Sequence, residues 1–324
     1  MNLSYSILWI DDDEDYLDSF DTEALRAYVE GQGFDLHLEF RTKPDDIKKE
    51  VDGALFDLLI IDYNIAEGDR HGSDVIRQVR DKDCLTEVIF YSQNAVATLR
   101  QIAADSELEG VFFSGRATDQ LLPKVKDVFN LTVRKVVDVD NMRGIVMAGV
   151  ADLDHLVTDV IRAVHASLDA DNQAALCKKL LSKMRPVVKH LGNLVKEQGH
   201  PNLKEVEKLV DAIVALEPAD FETLVQARHF DSSKRVDMAV SLCKDHDQLR
   251  PHKDSISAIK GLLQWRNALA HQKPKRLDEK GFPVFVPGES DESFDHDRTL
   301  KLRQDLRAQR ALLQGALKLF ARVA

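Results

Sequence analysis

The sequence predicts two domains of different class: an α/β doubly wound parallel sheet of five strands, then an all-α helical bundle. Three observations carry this. Short strand-like runs alternate with amphipathic runs up to about residue 118, which is the pattern of βαβ units. The run "FDLLIID" (56–62) is continuously apolar, as a strand buried on both faces of a parallel sheet must be. Beyond about residue 140 strand signals stop and helical periodicity takes over.

The elements follow in order. "YSILWID" (5–11) is a β-rich run ending in acids, and "DYLDSFDTEALRAYVEGQG" (15–33) is helical until Gly31 and Gly33 stop it. "DLHLEFR" (35–41) alternates as a strand, "DDIKKEVDGA" (45–54) reads as a helix, and "FDLLIID" is the third strand. Then come a helix (72–82), the strand "EVIFYS" (87–92), a helix (95–106) and the strand "GVFFS" (110–114). Apolar residues at 121, 122, 125, 128, 129, 133, 136 and 137 mark one face of a long helix. It closes the first domain (1–130) and runs on as a connecting helix (131–140). No Gly/Ser/Pro-rich linker follows, so the domains are expected to be mechanically coupled.

The second domain (141–324) reads as helices over 141–168, 172–197, 203–215, 219–228, 234–246, 254–271 and 297–322. Between the last two lies a long connection (272–297) in which "FPVFV" suggests a small strand or hairpin.

Charge separates the halves. Residues 1–135 hold 28 acidic and 15 basic side chains (net −13), and residues 136–324 hold 27 and 29 (net +2). The acidic half is a poor non-specific polyanion binder. The near-neutral half remains compatible with RNA where basic groups cluster; "KPKR" (273–276) reads equally as such a cluster or as a solvated loop. Three widely spaced cysteines suggest reduced thiols rather than a disulfide framework or a zinc site. There is no run of about 18 apolar residues, so no membrane span is expected. The N-terminus turns acidic at once, unlike a secretory leader. A cytoplasmic protein is the expectation.

In a doubly wound sheet the functional side chains gather at the C-terminal strand ends. Here those ends carry Asp11 and Asp12, Asp62, and Ser92. Three carboxylates in one crevice repel unless a divalent cation neutralises them, and Mg²⁺ suits oxygen ligands. A carboxylate so placed can attack a phosphoryl donor, and a nearby hydroxyl can bond the new phosphoryl oxygens. The alternative is that "DDDED" only caps a helix N-terminus, but that leaves Asp62 and Ser92 unexplained.

"ILWIDDDEDYL", "DLLIIDYNI" and "VIFYS" together resemble the receiver domain of two-component response regulators, a flavodoxin-like fold, over about residues 3–130. The resemblance implies Asp62 as phosphoacceptor and Ser92 as the switch hydroxyl. It implies Mg²⁺ on Asp11, Asp12, Asp62 and the Asn64 carbonyl, and a sensor histidine kinase or small phosphodonor as partner. One departure is conspicuous: the family's Lys at the end of the fifth strand is Ser114 here, and Arg116 is the nearest cation. The domain is therefore either a phosphorylated receiver that signals differently or a docking pseudo-receiver.

The second constellation lies in "LLQWRNALAHQ" (262–272). Asn267 and His271 are four apart, on one helix face. Arg266 is five before His271, about 140° round the helix, so it joins them by bending or if the helix ends near His271. Pro274 favours such an end. A His can move a proton, an Arg can hold a phosphate, and an Asn can orient either. Together they suit metal-independent attack of an RNA 2′-hydroxyl on its own phosphate. Read alone, they are equally a C-terminal helix charge cap.

"RNALAH" resembles the R-N-x-x-x-H signature of HEPN domains, all-α modules of prokaryotic toxins and antiviral ribonucleases. The resemblance implies Arg266, Asn267 and His271 as catalytic residues of an endoribonuclease that needs no cofactor at this site. It also implies a homodimer with the two motifs facing each other, and a role in stress response or phage defence. Two alternatives remain: a non-catalytic signalling adaptor that dimerises and binds nucleotide or protein, and a receiver-controlled transcription regulator. The absence of a basic recognition helix weighs against the last.

Overall fold

The computed structural model describes residues 3–43, 56–65, 71–81, 84–136, 139–197 and 221–321. The expected helices over 45–54 and 203–215 lie outside the described residues. The chain divides into two compact units. One comprises Asn2–Met142 with His296–Arg307, the other Arg143–Asp295 with Ala308–Ala324. No helix among the described residues is long and apolar enough to cross a membrane.

In the first unit, β1 (Ser4–Ile10), β2 (Asp35–Arg41), β3 (Leu58–Asp62), β4 (Glu87–Ser92) and β5 (Val111–Gly115) form one sheet. Its order is β2-β1-β3-β4-β5 and every pairing is parallel. This is the flavodoxin-like doubly wound order, as the alternation of strand and helix signals predicted. The helices are α1 (Glu14–Ser19), α2 (Thr22–Gly31), α3 (Gly72–Arg80), α4 (Val96–Asp105) and α5 (Thr118–Val136).

Strand alternation divides the core into two layers. Tyr5, Ile7, Trp9, Ile60, Ile89 and Tyr91 pack with Leu17, Leu25, Val29, Val125 and Phe129 from α1, α2 and α5. Leu8, Ile10, Leu59, Ile61, Val88 and Phe90 pack with Val75, Ile76, Val79 and Leu99 from α3 and α4. All five residues of β3 are buried, which accounts for its unbroken apolar run. Each such side chain contributes about 1.5–3 kcal/mol when removed from water. A carboxylate at the end of such a strand is therefore a costly exception.

The turn between α2 and β2 is tied down from far along the sequence. Gly33 has φ +81°, and its Cα is covered by Arg303, from the His296–Arg307 segment of the same unit. Arg303 Nε donates to the Gln32 carbonyl (3.2 Å), Gln304 Nε2 donates to the Gly31 carbonyl (2.7 Å), and Arg307 pairs with Asp35 (2.5 Å) and Glu30 (2.9 Å). Burial pushes the Arg303 guanidinium down to about 10.

The second unit is built from α6 (Val139–Ala166), α7 (Ala170–Glu197), α8 (Phe221–Gln226), α9 (Ser232–Asp245), α10 (Lys253–His271) and the later part of α11 (His296–Ala321). Along α6, Ile145, Val146, Val150, Leu153, Val157, Val160, Ile161 and Val164 form the buried stripe that three-and-four spacing creates. Arg235 pairs with Asp154 across α9 and α6, Arg162 with Glu222 (2.9 Å) across α6 and α8, and Lys260 with Asp237 (2.5 Å) across α10 and α9.

The connection after α10 is more regular than its sequence suggests. β6 (Arg276–Leu277), β7 (Pro283–Phe285) and β8 (Glu292–Ser293) form an antiparallel sheet in the order β6-β7-β8. Phe294 seats against Trp265 (5.6 Å between rings) and Phe285 (5.9 Å). The Gln272 side-chain amide donates to the Val286 carbonyl and accepts from its N–H, both at 3.1 Å.

Gly33→Ala is expected to destabilise the protein by about 2 kcal/mol or more, read from urea unfolding. A Cβ there would lie 2.6 Å from the Arg303 Cβ on top of an unfavourable φ. Gly31→Ala, whose Cβ would meet nothing within 4 Å, is the control and should be neutral or stabilising.

Candidate functional site

The site forms where β1, β3, β4 and β5 end. Ile10 stands opposite Ile61, Asp62 opposite Tyr91, and Tyr91 opposite Ser114. Asp11, one residue beyond β1, therefore falls beside Asp62. Both are essentially buried, at 0% and 1% exposure. One carboxylate oxygen from each of Asp11, Asp12 and Asp62 lies within 4.8 Å of the others.

The "DDDED" stretch divides its work. Asp13 is the N-cap of α1 and accepts from the Tyr16 N–H (3.0 Å). Asp12 is half-buried at the rim of the cluster, and Asp11 is turned inward. Helix capping and an acidic pocket are thus both present, on different residues.

Asp11 is held by three groups. The Tyr91 hydroxyl donates to it, as do the Asp13 N–H (2.9 Å) and Arg116 Nη2 (3.1 and 3.2 Å). Trp9 Nε1 donates in turn to the Tyr91 hydroxyl (2.9 Å). Burial raises the Asp11 carboxyl above the usual carboxylate range, and these donors oppose the rise. Tyr91 is raised too, by burial first and then by the negative Asp11.

Asp62 has less support. Asn64 N–H donates to its Oδ2 (3.1 Å), while Oδ1 is buried without a partner. Burial, reinforced by repulsion from Asp11, pushes its carboxyl up to about 7; the Arg116 charge and backbone N–H groups pull the other way. The backbone is fixed closely here. A Cβ on Gly72 would lie 2.0 Å from the Asp62 carbonyl oxygen and 3.0 Å from the Phe90 ring. Only glycine permits α3 to start against the end of β3.

Ser92 is fully buried, and its Oγ accepts from the Asn94 N–H (3.1 Å). Ser114, near the end of β5, is buried and donates to the Gly115 carbonyl (3.0 Å). Among the described residues the cation paired with the carboxylate cluster is Arg116. It pairs with Asp11 and Asp13 (2.9 Å to Asp13) and lies over the Tyr16 ring (4.2 Å to the centroid). Its N–H donates to the Ser92 carbonyl (2.9 Å), and its carbonyl accepts from the Tyr16 hydroxyl (2.6 Å). Tyr91 escaped the sequence reading because "VIFYS" looks like ordinary strand core. The available signal was its polar tip, one residue before Ser92.

The donor set fits a hard divalent cation: three converging carboxylates and an orphaned buried oxygen on Asp62. Arg116 supplies only one of the compensating charges.

The residues of the RN…H motif sit at the end of α10, which stops at His271. Asn267 and His271 are exposed and Arg266 is half-buried, with its Nε buried and unpartnered. No hydrogen bond joins the three among the described residues. Of the neighbouring "KPKR" run, Lys275 (3.0 Å) and Arg276 (3.5 Å) pair with Asp291, so part of its charge is balanced within the fold.

No family model matches this chain, and no curated protein matches it. Solved structures similar to it include a CheY-like response regulator receiver domain protein from Methanospirillum hungatei. That match has 17% identity and a TM-score of 0.32, and covers 41% of this chain and 98% of that one. Chemotaxis protein CheY4 of Vibrio cholerae matches at 16% identity and TM-score 0.30, covering 39% and 98%. Full-length FixJ from B. japonicum matches at 14% and 0.31, covering 72% and 98%.

The Asp62 carboxyl binds its proton more tightly in the folded chain than in the unfolded one. Its ionisation therefore penalises the fold, not at all below about pH 4 and fully above about pH 7. Asp62→Asn should raise unfolding stability by roughly 2–4 kcal/mol at pH 8 without divalent cations. The gain should shrink towards pH 4 in a series of thermal melts.

Proposed function

We propose that this chain is a response-regulator-type protein in which phosphorylation of Asp62 controls an endoribonuclease in the helical unit. The observation that carries the first half is a buried carboxylate, Asp62, at a C-terminal strand end, beside Asp11 and with one oxygen unpartnered. Burial and the neighbouring Asp11 disfavour the Asp62 charge, so a cation on the cluster would keep Asp62 ionised for attack and offset the added charge of a phosphoryl group.

An Asp62 oxygen attacks the phosphorus of a phosphohistidine on a sensor kinase, or of a small phosphodonor. A new P–O bond forms as the donor's bond to phosphorus breaks. Asp11, Asp12, Asp62 and the Asn64 carbonyl would hold Mg²⁺, which when bound supplies charge neutralisation for the phosphoryl oxygens. Ser92 Oγ then donates to one of those oxygens.

The second half is supported by the intact Arg266, Asn267, His271 spacing and by the end of α10 at His271. His271 takes the proton of an RNA 2′-hydroxyl, whose oxygen attacks the adjacent phosphorus. The bond to the 5′-oxygen breaks and that oxygen gains a proton, leaving a 2′,3′-cyclic phosphate and a 5′-hydroxyl end. Arg266 balances the charge gathering on the phosphate, and Asn267 orients the reacting groups. Exposure of Asn267 and His271 suits a site completed by a second copy, hence a homodimer. Such an RNA-cleaving output fits a stress-response or phage-defence toxin.

A second reading, a non-catalytic adaptor that dimerises and binds nucleotide or protein, is favoured by one observation: the three motif residues are not hydrogen-bonded to one another.

Total RNA incubated with the purified protein, with and without acetyl phosphate and Mg²⁺, should yield fragments bearing 2′,3′-cyclic phosphates. His271→Ala should lower the rate by at least about a hundredfold. Equal cleavage by both proteins, or none under either condition, leaves the adaptor reading. Asp62→Asn should abolish the acyl-phosphate mass increment; an unchanged increment would place the modification elsewhere.

A further inference from the structure

We propose that Arg116 is the phosphate-holding cation of the Asp62 site, reaching in from the turn after β5 to supply the charge that Ser114 does not. This rests on reading Asp62 as the phosphoacceptor.

Arg116 is placed for that work by both its backbone and its side chain. Its N–H is bonded to the Ser92 carbonyl and its carbonyl to the Tyr16 hydroxyl, so residue 116 is pinned between the end of β4 and α1. The guanidinium is largely buried, at 12% side-chain exposure, lies on the Tyr16 ring and enters the carboxylate cluster. All of its side-chain hydrogen bonds among the described residues run through Nη2, and Nε is buried without a partner. The fork therefore keeps donors for another anion. The facing element offers the complementary lack, since Asp62 Oδ1 is itself buried and unpartnered.

In the step considered, an Asp62 oxygen bonds to the phosphorus of acetyl phosphate, and the acetyl oxygen–phosphorus bond breaks. Its electron pair leaves on acetate, and no proton moves. The new phosphoryl group brings more negative charge than the carboxylate it caps. Arg116 remains protonated throughout, keeps Nη2 on Asp11 and Asp13, and offers its free donors to the phosphoryl oxygens. It also carries a cost: while it sits on Asp11 it opposes a divalent cation there.

Two measurements on the full-length chain, wild type beside Arg116→Ala and Arg116→Lys, decide the matter. With acetyl phosphate and Mg²⁺, intact-mass spectrometry should show Arg116→Ala accumulating the Asp62 acyl phosphate roughly tenfold or more slowly. Arg116→Lys should recover part of the rate. In calorimetric titration with Mg²⁺ alone, Arg116→Ala should bind the ion severalfold more tightly than wild type. A variant that merely fails to fold loses both phosphorylation and Mg²⁺ binding, so weaker Mg²⁺ binding overturns the assignment. Labelling of Arg116→Ala at the wild-type rate overturns it while leaving Asp62 as phosphoacceptor. Absence of labelling in the wild type overturns both.

Discussion

Two carboxylates held out of water on neighbouring strands set the terms for the first unit. Asp11 and Asp62 are each almost fully buried, and their negative charges lie close together. An uncompensated pair would not survive in that environment. The surrounding residues are arranged to reduce the cost. The Tyr91 hydroxyl and the Asp13 N–H hold Asp11, Trp9 holds Tyr91, and Arg116 contributes a positive charge. The compensation is uneven. Asp11 receives three donors, and Asp62 keeps one oxygen bare. The unit is thus built around one saturated acid and one unsaturated acid.

The helical unit treats its polar residues in the opposite way. Its ion pairs, such as Arg235 with Asp154 and Arg162 with Glu222, join helices side by side. The candidate catalytic groups Asn267 and His271 stand exposed at a helix end. The β6-β7-β8 sheet and the Gln272 amide fasten the chain just after His271, so the end of α10 is a fixed platform rather than a fraying one.

Much of this was legible in the sequence because it follows from local periodicity. Leu58 to Asp62 can only be a doubly covered strand, and apolar residues 121 to 137 lie on one helical face. Asp11, Asp12, Asp62 and Ser92 could be placed together because a doubly wound sheet brings C-terminal strand ends into one crevice. What escaped depends on pairing across the sheet or across the chain. Tyr91 belongs to the site only because β4 lies beside β3, which sets its hydroxyl on Asp11. The turn after β5 decides how far Arg116 reaches. The two- and three-residue strands of the second sheet are too short to leave a period. That Arg303 covers Gly33 is a contact across 270 positions, and no local pattern announces it.

The same electrostatics bear on the cation that reaches this cluster from the turn after β5. A lysine at the position of Ser114 would bring a point charge with a long flexible stem into the pocket. An arginine arriving from two residues later brings a planar fork, stacked on Tyr16 and anchored through its backbone to Ser92. Any anion that draws the fork away from Asp11 leaves Asp11 dependent on Tyr91 and the Asp13 N–H. The guanidinium touches Asp11, Asp13 and the Tyr16 ring, while the backbone of the same residue bonds Ser92 and the Tyr16 hydroxyl. Among the described residues this one guanidinium pairs with both Asp11 and Asp13, so the charges of the cluster are coupled through it.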